Sequence, residues 1–378
     1  GWRKGLHTHV DGRKFLITSE AQGVFDDLEK LKKNFEDTFI PNFLFELLGR
    51  EQAEHYCYSL NAGLKSLRRG DFRSAPFTWL VGPPECGKSL LQFITKIFYG
   101  GRSASPASVL FKNETKTGHL TKGEFWMFSD PDTGNDRRSR TSLGENLKAM
   151  FHEEEYPFRG LYREEFVISC FRRGSGGLNR KPEQIQLIPP LIEGVKDKNT
   201  VLLCNMAKDS LNKFCSDSQK SLAGFDPSSE GVDRLMLRQL ILDSIPQFRA
   251  WIMENYNNVP EKWRNKRYGV AAYHNAELLR ALNQLTPEAR YLEYIDEVLF
   301  LDGDYKEYGS ALLRARKVEN IMRESKFAFQ VKDFVHKTSQ YFSRLEESVP
   351  ERISKAKYDS DGIQLWQITN PFRSNTES

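Results

Sequence analysis

Apolar positions along this chain change their spacing several times, and each change marks a different kind of element. Residues 43–67 repeat apolar side chains every three or four positions, the period of a helix with one buried face, and residues 25–39 do the same. Residues 12–17 form a short run suited to a hairpin strand. Between residues 77 and 205 the rhythm is different. The runs 77–81, 125–128, 166–171 and 200–204 are rich in aromatic and β-branched residues and too short for buried helices, so they read as strands with helical stretches between them. Strands alternating with helices build a layered α/β domain around a parallel sheet.

Helical spacing returns over 225–301, with Pro260 and Pro287 standing where helices start. Residues 312–322 and 331–345 then suit two helices, while 352–357 and 364–368 can pair as a hairpin around Asp359, Ser360, Asp361 and Gly362. Helix, helix, hairpin is the order of a winged helix, and the polar stretch after Asn370 is expected to be disordered. The chain thus divides into a helical region at 1–70, an α/β core at 71–223, a second helical region at 224–303 and a winged-helix-like domain at 304–378. A length of 378 residues is too great for one ordinary core, which agrees with such a division.

One junction in the α/β core carries chemistry. The run 77–81 leads into Gly82-Pro83-Pro84-Glu85-Cys86-Gly87-Lys88-Ser89, and a helical pattern opens at Leu90. A strand, a GxxxxGKS loop and a helix make a phosphate-binding loop, because the loop amides and the helix N-terminus face the same anion. Gly82, Pro83, Pro84, Glu85, Cys86, Gly87, Lys88, Ser89 and Leu90 are therefore the expected nucleotide cradle. In it Lys88 reaches the β- and γ-phosphates and the Ser89 hydroxyl takes Mg²⁺. Cys86 stands where a smaller residue often lets the loop close, and it brings a thiol to the site.

Hydrolysis of a bound triphosphate also needs a carboxylate on a neighbouring strand, to hold the metal and polarise water. The run 125–128 ends on Ser129 and Asp130, so Asp130 is the leading candidate and Asp132 a second one. Ser129 and Pro131 flank Asp130, which breaks the side-by-side acid pair many ATPases use. Arg138 and Arg140 follow in a basic cluster, and as guanidinium groups they suit a γ-phosphate reached across a subunit boundary; the alternative is a solvated basic loop. The segment Tyr156-Pro157-Phe158-Arg159-Gly160-Leu161-Tyr162-Arg163 combines rings that stack on bases with cations that neutralise phosphates. Phe158, Arg159, Tyr162 and Arg163 are its candidates for single-stranded nucleic acid, against an ordinary turn with partly buried rings. Residues 172–177 read as a glycine-rich insertion that leads to Asn179. Asn179 and Asn205 both stand at strand ends from which an amide can orient water.

Composition changes this picture little. Hydrophobic residues at 39% and charged residues at 28% are the balance of a soluble globular protein, and no apolar run approaches the about 18 residues of a membrane span. Lys and Arg at 55 against Asp and Glu at 51 leave a net charge of +4, too mild to establish a nucleic-acid partner. Cys57, Cys86, Cys170, Cys204 and Cys215 are odd in number, scattered and without a CxxC pair. They imply neither a disulfide framework nor a zinc site, and they fit a reducing cytoplasm. The abrupt start at Gly1 points to a piece of a longer protein.

Taken as a set, the GPPECGKS loop, the acid-ended FWMFSD strand, the YPFRGLYR segment and the later strand-end asparagine resemble superfamily 3 AAA+ helicases. The nearer likeness is to the helicase part of primase-helicase (primase-polymerase) proteins of phages and mobile elements. Asp136, Arg138, Arg140, Gly144 and Lys148 fall on that group's pattern, as does Asn179 followed by Pro182, Glu183 and residues 187–191. Residues 259–270 and 277–290 continue the likeness, which covers 72–301 and extends more loosely into the tail. The resemblance implies an α/β P-loop NTPase of the AAA+ type that uses ATP and Mg²⁺. It implies a ring, usually a hexamer, in which Lys88, Ser89 and Asp130 of one subunit face an arginine of the next. It also implies single-stranded or forked DNA gripped in the central channel, a primase domain in the full-length protein, and Asn179 rather than Asn205 as the water-orienting amide. Two other readings of the residues stand beside it. One is a nucleotide-switched DNA-binding initiator or loader with little unwinding, and the other is a further P-loop phosphotransferase, since the loop does not choose among these chemistries.

Overall fold

The structure, a computed structural model, describes residues 5–8, 12, 14–17, 23–24, 26, 39–70, 73–112, 114–129, 131, 137–153, 155–159, 165–169, 171–189, 196–220, 231–284, 287–332 and 335–373. Contacts gather the chain into two compact units, Gly1–Leu278 and Leu279–Ser378. Strands β1 (Gly5–Thr8) and β2 (Lys14–Ile17) pair antiparallel near the start. The helix expected over 25–39 lies largely outside the described residues. The helical stretch that follows is two helices, α1 (Phe39–Leu48) and α2 (Arg50–Arg69). Gly49 between them takes φ 70° with ψ 163°, a positive-φ conformation that L side chains rarely adopt.

At the centre of the first unit, β3 (Phe77–Gly82), β4 (Ser103–Ala104), β5 (Phe125–Ser129), β8 (Arg173–Asn179) and β9 (Asn199–Leu203) form a parallel sheet in the order β4-β5-β8-β3-β9. Strands β6 (Glu155–Arg159) and β7 (Glu165–Ser169) pair with each other as a separate hairpin. The mixed α/β architecture expected from the alternating pattern is therefore present. Helices α3 (Lys88–Phe98), α4 (Ala107–Lys112), α5 (Arg137–His152), α6 (Pro182–Ile185), α7 (Lys208–Gln219) and α8 (Arg234–Asn255) follow in the connections. Short strands β10 (Arg264–Asn265) and β11 (Gly269–Val270) and helix α9 (Ala276–Gln284) come after them.

Two expectations exchange places here. The apolar run 166–171 contributes β7 to the hairpin rather than a strand to the sheet, and the glycine-rich stretch read as an insertion is β8, the sheet's middle strand. The reason is steric. A Cβ at Gly174 would meet Phe151 at 2.4 Å and Phe77 at 2.5 Å, and one at Gly176 would meet Phe128 at 2.6 Å. Bare backbone in β8 makes room for rings supplied by its neighbours, with Phe77 5.0 Å from Phe151 and 5.8 Å from Phe128 between centroids.

Strand alternation sends Phe77 and Trp79 to this aromatic face and Leu80 to the other, where it joins a core with Leu44, Leu64, Leu91 and Phe248 from α1, α2, α3 and α8. Arg249 of α8 is buried and closes the C-terminus of α3, its Nε donating to the Phe98 carbonyl at 2.9 Å and its Nη2 to that of Ile97 at 2.7 Å.

The second unit contains α10 (Pro287–Asp296), β12 (Ser310–Arg314), α11 (Ala315–Glu324), α12 (Ala328–Val331), α13 (Thr338–Ser348), β13 (Ile353–Tyr358) and β14 (Gln364–Thr369). Its antiparallel sheet has the order β12-β14-β13. The expected hairpin is β13 and β14, and its turn is fastened by Asp359 Oδ1, which accepts from the amides of Asp361 and Ile363 at 2.9 Å each. The helix expected from residue 312 starts at Ala315 instead, because the residues before it add a third strand to the sheet. Ala311 and Leu313 of β12 are buried while Leu312 is 53% exposed, a two-residue period rather than a helical one. Pro287 opens α10, whereas Pro260 precedes only a short 3-10 turn at Glu261–Trp263. Among the described residues no helix is long and apolar enough to cross a membrane.

Candidate functional site

Ends of parallel strands carry the site. β3 ends on Gly82 and β8 on Asn179, opposite each other in register, while Ser129 at the end of β5 lies opposite Gly177. Crevices at the carboxyl ends of such sheets are where ligands bind. The loop leaves β3 through Gly82, where a Cβ would meet the Cys204 carbonyl oxygen at 2.3 Å and Cys86 Sγ at 2.8 Å, so the position demands glycine. It then turns through Glu85 at φ 57° and Gly87 at φ 104°, and α3 begins at Lys88. The first amides of a helix have no partner within it, so they are free to take an anion. Glu85 forms an ion pair with Lys208 at the start of α7.

Lys88 is buried, and its ammonium folds back over its own loop. Nζ donates to the carbonyls of Gly82 at 2.9 Å and Pro83 at 2.6 Å, and to Asn179 Oδ1 at 3.1 Å. Asn179 therefore stands beside Lys88, with its backbone N–H held by Gln184 Oε1. Asn205 is exposed and its backbone N–H goes to Leu47 at 2.9 Å. Ser89, in the first turn of α3, is exposed. Pro83 and Pro84 are exposed on the loop, Cys86 is buried beneath it, and Leu90 is half-buried.

Asp130 and Asp132 lie outside the described residues, but the strand end that carries them is fastened. Ser129 Oγ donates to Gln92 Oε1 at 2.7 Å, and Gln92 Nε2 donates to the carbonyls of Phe128 at 2.9 Å and Ser175 at 3.3 Å. One buried side chain on α3 thus ties the helix that follows the loop to the end of β5 and to Ser175 within β8. Sequence reasoning missed Gln92. The available signal was a polar residue set within the apolar stripe of Leu91, Ile94 and Thr95.

Arg138 and Arg140 belong to the start of α5, with side chains outside the described set. Tyr162 and Arg163 also lie outside it. Phe158 corrects an expectation. It is 0% exposed and packs edge-on against Trp126 and Tyr156, with centroids 6.2 and 5.2 Å away, so both ring faces are covered and no base can stack on it here. Arg159, next along β6, is exposed and lies in register with Glu165.

No family model and no curated protein matches this chain. Solved structures do. An apo structure of the NrS-1 C-terminal region, residues 305–718, matches 97% of this chain and 83% of its own length, with a TM-score of 0.51 at 13% identity. The A form of that region gives a TM-score of 0.53 at 11% identity, over 97% of this chain and 82% of its own. JCV helicase bound to a small molecule covers 68% of this chain and 64% of its own, at 10% identity and a TM-score of 0.34. The first two matches show a shared fold over almost the whole chain.

Proposed function

We propose that this chain is an ATP-dependent DNA helicase or translocase of the superfamily 3 AAA+ type, acting in the replication of a phage or mobile element. ATP is hydrolysed between subunits of a ring, a hexamer by analogy with that family. The observation that carries this reading is the junction at Lys88, a strand-loop-helix cradle whose lysine lies 3.1 Å from an amide at the end of the adjacent strand. Sheet order adds support. β8 separates β3 from β5, so the acid-bearing strand end is two strand spacings, roughly 10 Å, from the loop strand. A γ-phosphate and a water need room of that size between cation and carboxylate.

The residues fit a nucleoside triphosphate with Mg²⁺. Gly82 and Gly87 let the loop turn tightly against Cys204 and Phe43, and the hydroxyl of Ser89 and the carboxylate of Asp130 are the hard oxygen donors that Mg²⁺ takes. Bound there, Mg²⁺ would neutralise charge on the triphosphate. Lys88 exchanges the Gly82 and Pro83 carbonyls and Asn179 Oδ1 for phosphate oxygens, which frees Asn179 Oδ1 to accept from the attacking water and aim it. Asp130 takes that water's proton, with Asp132 as the second candidate. Arg138 or Arg140 of a neighbouring subunit stabilises charge on the transferring group. Arg159 at the end of β6, with Tyr162 and Arg163 that follow it in the sequence, is the candidate for contact with a single DNA strand, and phosphate contacts of that kind weaken with salt.

Phosphate release with and without single-stranded DNA, followed by unwinding of a forked duplex, tests this. Lys88→Ala should abolish turnover, and DNA should stimulate the wild type. Full turnover in Lys88→Ala would falsify the assignment of the loop. The element order of the second unit, α10, β12, α11, α13, β13 and β14, favours a second reading: a winged helix that holds duplex for a nucleotide-switched initiator or loader. Duplex binding without strand separation, lost when residues 305–378 are removed, would select it.

A further inference from the structure

Among the described residues four cysteines are free, and they fall into two kinds. All four are buried at the same apolar core, and Cys57 and Cys215 stand apart from each other in it, where burial pushes the Cys57 thiol far up and that of Cys215 to about 11. Cys86 and Cys204 instead meet at the nucleotide loop. A Cβ at Gly82 would lie 2.8 Å from Cys86 Sγ and 3.0 Å from Cys204 Cβ, so both side chains fill the space that glycine leaves vacant. Cys86 Sγ and Cys204 Cβ thus approach the same point beside Gly82 from the loop and from the end of β9.

The surroundings of the two sulfurs differ. Lys88 Nζ is 3.9 Å from Cys86 Sγ, and Cys86 lies just ahead of the N-terminus of the 11-residue helix α3. A cation and a helix N-terminus both favour a thiolate, the nucleophilic form of cysteine. The neighbouring Cys204 thiol, and then the charge of Lys88, hold the Cys86 thiol below its usual range against the opposing effect of burial, while Cys204 rises above it. Cys86 rides on a loop, whereas Cys204 is anchored to the sheet by its amide, which donates to the Val81 carbonyl at 2.7 Å. This is the division of labour between an attacking and a resolving cysteine.

We propose that Cys86 and Cys204 form an oxidant-responsive pair which hydrogen peroxide converts to a disulfide, closing the phosphate loop to nucleotide. The Cys86 thiolate attacks one peroxide oxygen, the O–O bond breaks, and Cys86 becomes a sulfenic acid as hydroxide leaves. Cys204 gives its proton to that hydroxide and attacks the Cys86 sulfur. The S–S bond forms, the S–O bond breaks, and the departing hydroxide is protonated from solvent, so two thiols and one peroxide give one disulfide and two waters. A covalent S–S bond of about 2.05 Å draws the loop onto β9 and away from the geometry that Lys88 needs. The effect on nucleotide rests on the function proposed above, whereas the cross-link does not.

The test treats the full chain with hydrogen peroxide, blocks remaining thiols and maps peptides without reduction. A peptide pair joined through Cys86 and Cys204 is expected. Binding of a fluorescent ATP analogue should be lost in the cross-linked protein and return with dithiothreitol. Cys204→Ser cannot close the bond, so the sulfenic acid should persist at Cys86 and be trapped by dimedone. Absence of the joined peptide, oxidation falling first on Cys57 or Cys215, or a cross-linked protein that binds the analogue as well as the reduced one would each overturn the proposal. Failure of the reduced protein to bind the analogue would instead remove the nucleotide-site reading, with the cross-link still scored by mass.

Discussion

Gln92 holds the site together from inside the core. Replacing it with leucine leaves the Ser129 hydroxyl and the Phe128 and Ser175 carbonyls without their partner, at about 1–3 kcal/mol of stability. Because the Ser129 bond aims the strand end that carries Asp130, Gln92→Leu should slow ATP turnover about tenfold, some 1.4 kcal/mol of barrier, with nucleotide affinity near wild type. Steady-state hydrolysis beside equilibrium titration separates these, and an equal loss in both would mean that Gln92 acts through the loop alone. Two histidines set a pH response at the same scale. His55 is buried, its Nε2 donating to the Ala271 carbonyl at 2.8 Å, and burial pushes it from 6.5 to about 4. Burial, then the nearby Lys198 and Arg267, push His152 to about 3. Below the ordinary histidine range the unfolded chain binds protons that the folded chain refuses, so stability falls with falling pH, by up to ~1.4 kcal/mol per unit for each ring. The loss runs from 6.5 down to about 4 for His55 and about 3 for His152. Thermal midpoints should therefore drop across this window, and His55→Gln, which removes the titrating ring but keeps a donor, should make the drop shallower. An unchanged slope in His55→Gln would count against it.

At the scale of elements, β8 shows why some strands escape a reading of their own residues. RGSGGLN has almost no apolar content, because the rings that cover it come from β3, β5 and α5. Gly174→Ala places a methyl 2.4 Å from Phe151 and 2.5 Å from Phe77. The overpacking should destabilise the protein by about 1–3 kcal/mol, measured by denaturant unfolding. Phe151→Leu in the same chain should recover part of the loss, and a strictly additive pair would show that the clash lies elsewhere. The hairpin β6–β7 is the mirror case, apolar enough to read as a core strand in β7 yet paired only with its neighbour. β12 joins its sheet through residues that a helical pattern had claimed, since five residues are too few to separate the two periods. Gly49, by contrast, parts α1 from α2 through a positive φ that glycine adopts at no steric cost.

At the scale of the molecule, a ring with ATP between subunits makes a quantitative demand. Lys88→Ala subunits mixed into the wild type should depress DNA-stimulated turnover by more than their fraction, because each one spoils a shared site. Loss in strict proportion would mean independent subunits. The strand-loop-helix junction at Lys88 could be read from order along the chain because a strand, two turn glycines, a lysine and a helix start are consecutive and answer to local sterics. The runs that became β3, β5 and β9 were equally local. Which asparagine meets Lys88 was not, since that contact joins residues 91 positions apart and depends on β8 pairing with β3. Long-range pairing also buried Phe158, brought Gln92 to Ser129 and set Cys86 against Cys204. Side-chain type and spacing specify what a segment prefers, but neighbours across a sheet are chosen by the packing of the whole layer, and no short stretch of chain contains that information.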